Sequence, residues 1–132
     1  MNYYLDTNIC LCFLKGICST FGQKLELINP SNIKIPSIVK AEILYYAKIS
    51  EKKIDNLIKV KKFLEPFEIV EFGGGAPGFL SSLRAEMDKK GKCMSANDLI
   101  IASIVFTCGG VLVTDKVKEF SQVNGLIIEN WA

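Results

Sequence analysis

Residues 95–114 read SANDLIIASIVFTCGGVLVT, and this stretch decides the architecture. Ser95 stands where a helix N-cap belongs, three residues ahead of Asp98, and LIIASIVF then runs apolar on every side. A helix with no polar face is central to its fold, which sets Asp98, at its entrance, near the edge of a crevice. Gly109-Gly110 gives the turn signal, and the β-type run Val111 to Thr114 follows.

Outward from this unit the same alternation repeats. Short β-type runs stand at Tyr3 to Leu5, Ile33 to Ile35, Phe67 to Val70 and Leu126 to Ile128. Helical patterns fall between most of them: Asn8 to Lys15, Thr20 to Ile28, Ser37 to Ile49, Lys53 to Leu64, Gly78 to Lys90 and Ala96 to Cys108, with a short turn at Lys118 to Phe120. Strands alternating with helices predict an α/β layer fold with a mainly parallel sheet. GGGAPG at Gly73 to Gly78 is a connecting loop, since no Gly-Lys-Ser/Thr follows to make it a phosphate loop.

Bulk properties narrow the chemistry. The 132 residues, 49% hydrophobic, suit one domain spanning 1–132. The longest apolar stretch falls short of the roughly 18 residues a membrane span needs, and no basic region with a long apolar run opens the chain. The expectation is a soluble, cytoplasmic protein with no membrane partner. Five cysteines, an odd number in mostly apolar segments, argue against a disulfide framework, and Cys10-x-Cys12 lacks a second pair for zinc. With no histidine, an imidazole base or a Ser-His or Cys-His pair is excluded, which turns attention to carboxylates and metals. The net charge is only +2, and the lysine runs at 48–62 and 89–92 read, from charge alone, as solvated helix faces.

Four acids stand out by position. Asp6 ends the first strand and Asp115 follows VLVT, both at strand carboxyl ends where open α/β sheets bind ligands, although turn and cap chemistry also explain them. Glu42 falls on a helical stripe with Ile38, Tyr45 and Ile49 that is expected to face the core, where a carboxylate needs a partner from elsewhere; a glutamate at the stripe's edge reaching solvent is the alternative. Asp98 sits in a first helical turn, where the helix dipole alone accounts for an acid. Several carboxylates brought into one small fold repel unless cations neutralise them, and oxygen-only sets favour Mg²⁺ or Mn²⁺.

Four ordered motifs now carry a resemblance: YYLDTNICLCFLKG, IPSIVKAEILYYAKIS, LRAEMDKKGKCMSANDLIIAS and GGVLVTDKVKEFSQVNGLIIENW. Together they cover nearly the whole chain, which resembles a PIN-domain ribonuclease of the VapC toxin type, from type II toxin–antitoxin pairs. The resemblance implies a three-layer α/β fold with a central five-stranded parallel sheet flanked by helices, a homodimer, and an acidic pocket that binds Mg²⁺ or Mn²⁺ and cleaves structured RNA such as tRNA. It also implies a cognate VapB-type antitoxin whose C-terminal segment lies in the groove and delivers an arginine to the acids. By position Asp6, Glu42 and Asp98 match the family's three principal acids, and Asn8, Ser37, Asn97 and Thr114 match polar positions that line or support the pocket. The fourth acidic or amide position departs from the family, because TDK places Lys116 there and Asp115 one residue early. Three substitutes offer themselves: Asp115 itself, Glu119 of KEF, or Lys116 holding a substrate phosphate. Arg84, on a stripe with Leu80 and Met87, is a further candidate to reach the acids or the scissile phosphate, or else to snorkel from a buried stem.

Two rival functions fit less of the chain. A weakened PIN scaffold that binds RNA or a protein without cutting is supported by Lys116 alone. A phosphoacceptor signalling domain would show paired acids after the first strand, where Asp6 stands alone.

Overall fold

A computed structural model describes residues 1–132. Five parallel strands, β1 (Tyr3–Leu5), β2 (Ile33–Pro36), β3 (Glu68–Val70), β4 (Val111–Val113) and β5 (Ile127–Glu129), form one sheet in the order β3-β2-β1-β4-β5. Seven helices connect them: α1 (Thr7–Leu14), α2 (Ser19–Glu26), α3 (Ser37–Ile49), α4 (Lys53–Leu64), α5 (Ala76–Lys89), α6 (Ala96–Cys108) and α7 (Val117–Phe120). Successive strands step outward from β1 to β3, and the chain then crosses back to lay β4 on the other side of β1. The strand order therefore reverses between β1 and β4, the place where an open α/β sheet leaves a crevice at its carboxyl edge.

The α6 helix is as central as its sequence requires. Ser95 caps it, accepting from the Asp98 N–H at 3.1 Å, and Leu99, Ile101, Ala102, Ile104 and Val105 are buried. Gly109 ends it at φ 73°, in the left-handed region. Gly110 then lies directly against the ring of Tyr4, where any Cβ would collide. With β1 and β4, whose Leu5, Leu112 and Val113 are fully buried, this helix forms the middle of the core.

Three expectations change. The α5 helix begins at Ala76 rather than Gly78, because Pro77 in a first turn forfeits no hydrogen bond and comes with a helical φ. The inward face of α3 is Val39, Ile43 and Ala47; of the stripe expected to be buried, Ile38 and Glu42 are half-buried at the core's edge, while Tyr45 and Ile49 are 63% and 65% exposed. The core stripe is offset by one residue from the one expected, and α4 packs along α3 as a hairpin partner. Cys12 and Cys18, with Cα atoms 5.4 Å apart, are joined as a disulfide, because the turn after α1 returns Cys18 to it; Cys10 is buried, and Cys93 and Cys108 are free and exposed. No helix is long and apolar enough to cross a membrane.

Candidate active site

The register of the central strands builds the site. Leu5 pairs with Val113, and one residue further the Asp6 N–H still donates to the Val113 carbonyl at 3.0 Å, so Asp6 and Thr114 leave the sheet side by side. Asp6 is 1% exposed and serves as N-cap of α1. Its Oδ1 accepts from the Thr7 N–H at 2.7 Å and its Oδ2 from the Thr114 hydroxyl at 2.7 Å. Burial nonetheless pushes its carboxyl up to about 6; those two hydrogen bonds and Lys116 pull it down, and the charge of Asp98 adds to the rise.

Thr7 extends the network sideways. From the first turn of α1 its hydroxyl donates to Glu42 Oε1 at 2.6 Å, tying α1 to α3. Glu42 is thus half-buried at the edge of its stripe, as one of the two readings had it, and takes its partner from another element. On the other side the Thr114 hydroxyl accepts from the Lys116 N–H at 3.0 Å. That contact turns the lysine over the site, and its Nζ lies 3.5 and 3.3 Å from Asp98 Oδ1 and Oδ2. Asp98, Asp6 and Glu119 hold the ammonium above its usual range against the opposing effect of burial.

Asp6, Glu42, Asp98, Thr114 and Lys116 therefore form one connected group, with Thr7 as a member that sequence reading assigned no role. Its only signal was adjacency to Asp6. Lys116, one of the three substitutes the sequence offered at the departed position, lies against Asp98. Other candidates lie apart from the hydrogen-bonded group. Asp115 is exposed and its side chain makes no hydrogen bond or ion pair, so it lies outside the connected group. Glu119 is exposed and acts only through its field on Lys116. Arg84 is exposed on α5, beside Leu80 and Asp88 in a shallow depression, and pairs with none of the acids. Asn8 is exposed, while Ser37 and Asn97 are half-buried at the starts of α3 and α6 without side-chain hydrogen bonds.

No three carboxylate or thiol side chains close around a point as a ready-made metal cage. The donor chemistry nevertheless fits a hard cation: every available ligand is oxygen, and Asp98 already holds a positive charge whose field also reaches Asp6.

The PIN domain family model matches residues 3–126. Ribonuclease VapC2 of Rickettsia felis is 39% identical over 132 residues, covering 99% of this chain and 98% of that protein. The tRNA(fMet)-specific endonuclease VapC of Salmonella typhimurium is 30% identical over 131 residues, covering 99% and 98%. Among solved structures, VapBC2 from Rickettsia felis bound to a DNA fragment from its promoter superposes with a TM-score of 0.93 at 38% identity, covering all of both chains. The chain belongs to the PIN-domain family, in its VapC ribonuclease branch.

Proposed function

From that membership, we propose that the chain is a Mg²⁺- or Mn²⁺-dependent endoribonuclease, the toxin of a VapBC-type pair, that cuts structured RNA such as tRNA. The observation that carries this reading is the group at the strand-order reversal: Asp6 and Asp98 share a cationic neighbour, and hydroxyls rather than cations hold Asp6 and Glu42. Asp6, Asp98 and Glu42 would hold the metal. When bound, such an ion activates water and offsets charge on phosphoryl oxygens. The chain's own residues set the geometry. Thr114 and the Thr7 N–H fix both oxygens of Asp6, and the Thr7 hydroxyl fixes Glu42 relative to it. In-line attack by water on the phosphorus breaks the bond to the 3′ oxygen, leaving 5′-phosphate and 3′-hydroxyl ends.

The exposed lysines of α3 and α4, among them Lys40, Lys59, Lys61 and Lys62, supply backbone contacts for RNA, so binding weakens as salt rises. The relatives' occurrence in VapBC complexes supports a VapB-type antitoxin for this chain; by the family resemblance its C-terminal segment would lie over the acids. Exposed Tyr45, Ile49, Ile54 and Ile58 on the α3–α4 hairpin support self-association as a homodimer. Incubating purified protein with bulk tRNA and Mg²⁺, then mapping ends, tests the reading. Wild type cuts, and Asp6→Asn or Asp98→Asn does not; retained cleavage by either variant overturns it.

The Lys116–Asp98 ion pair favours a second reading, a scaffold that binds RNA without cutting. Under that reading the same assay shows RNA bound and uncut with Mg²⁺ present.

A further inference from the structure

We propose that the Lys116 ammonium is a resident cation of this site, taking the place of a second divalent ion and restricting the protein to one. This inference rests on the divalent-ion reading above and concerns only how many ions bind and what sets that number.

The geometry of Lys116 is that of a seated cation rather than a passing surface charge. Its Nζ faces both oxygens of Asp98, at 3.3 and 3.5 Å. Asp98 is 7% exposed, and its carboxylate has no other hydrogen-bond partner. The lysine backbone is pinned as well, because its N–H donates to the same Thr114 hydroxyl that donates to Asp6. A side chain anchored at both ends, over a mostly buried carboxylate, has little freedom to leave.

Charge balance gives the number. Asp6, Glu42 and Asp98 carry three negative charges when ionised, and the ammonium with one divalent ion balances them. A second divalent ion would leave two uncompensated positive charges beside the buried Asp6 and Asp98, a costly state. Ligand supply agrees, since Asp115, the neighbouring acid, is exposed and stands outside the hydrogen-bonded group, which leaves no further acid for a second ion. Lys116 thus sets ion number by standing at Asp98 as the second positive charge of the site, from where it repels a further ion.

Counting bound Mn²⁺ tests this, by calorimetry and by the electron paramagnetic resonance signal of free Mn²⁺, on wild type, Lys116→Asp, Lys116→Gln and Asp6→Asn, each shown folded by circular dichroism. Wild type binds one ion. Lys116→Asp binds two, and Lys116→Gln binds its first ion about tenfold more tightly or better, because a like charge has gone. Two ions on wild type, or unchanged affinity in Lys116→Gln, overturns the inference; if Lys116→Asp does not fold, the Gln variant alone decides it. Unchanged Mn²⁺ binding by Asp6→Asn, or none by wild type, instead removes the divalent-ion reading on which it rests.

Discussion

Replacing Asp6 with Asn should change stability by an amount that depends on pH. In the metal-free protein the Asp6 carboxyl titrates near 6, against 3.8 for the unperturbed group, because burial penalises its ionised form. A carboxyl raised in the folded state favours the fold while neutral in both states, below about pH 4. That contribution is lost as pH climbs between the two values, and above pH 6 the ionised group is a constant burden. The gap of about two pH units corresponds to about 3 kcal/mol. Asn removes the burden, but its amide NH₂ cannot accept, so either the Thr7 N–H or the Thr114 hydroxyl loses a partner at a cost of about 1–2 kcal/mol. In chelator, Asp6→Asn should therefore be less stable than wild type by that amount near pH 4. Above pH 7 it should be more stable by about 1–2 kcal/mol. Urea titrations from pH 4 to 8, with wild type and variant compared at each pH, measure the difference. A difference that stays flat across that range refutes the reasoning, because the group would then titrate alike in folded and unfolded chains.

Other perturbations test separate parts of the structure. Thr7→Val deletes the hydroxyl bridge to Glu42; urea unfolding should show a loss of only about 1 kcal/mol, while RNA cleavage falls far more than that loss explains. Gly110→Ala forces a methyl into the Tyr4 ring and should destabilise by about 1–3 kcal/mol or more in the same assay. Ile101→Ala, in the buried middle of α6, should cost about 2–5 kcal/mol and lower the thermal midpoint without altering the pH dependence of Asp6.

Much of the fold was legible because its central pieces are apolar in an unambiguous way. Ile33 to Ile35, Val111 to Val113 and the α6 run admit few readings, and each forms as its pattern predicts. Legibility failed where apolar residues are not buried. Tyr45 and Ile49 read as core and are exposed, since a helical projection reports periodicity and not which side its neighbours cover. The site divides similarly. Asp6, Glu42 and Asp98 were visible from their positions, and the structure joins all three to one group. Thr7 was not, because a threonine in a first helical turn carries no pattern; only the proximity of α1 to α3, whose paired residues are 35 apart in sequence, gives its hydroxyl a partner. Lys116 was visible as a departure from the family, but its contact with Asp98 depends on bringing together residues 18 apart at the ends of β4 and α6.

The choice of partners around the acids follows from what the site must keep. A buried carboxylate needs hydrogen bonds to hold one orientation, and arginine or lysine would give the strongest ones. Such partners would also cancel the negative charge that the proposed divalent ion requires. Hydroxyls and a backbone N–H fix Asp6 and Glu42 without adding charge, at the expense of leaving Asp6 hard to ionise. Under the proposed divalent-ion reading, a cation at the crevice would favour the ionised form of Asp6 and so offset part of its burial cost. Asp98 is the exception, oriented by a full positive charge 3.3 Å away, so of the three acids it is the one whose charge is already partly offset.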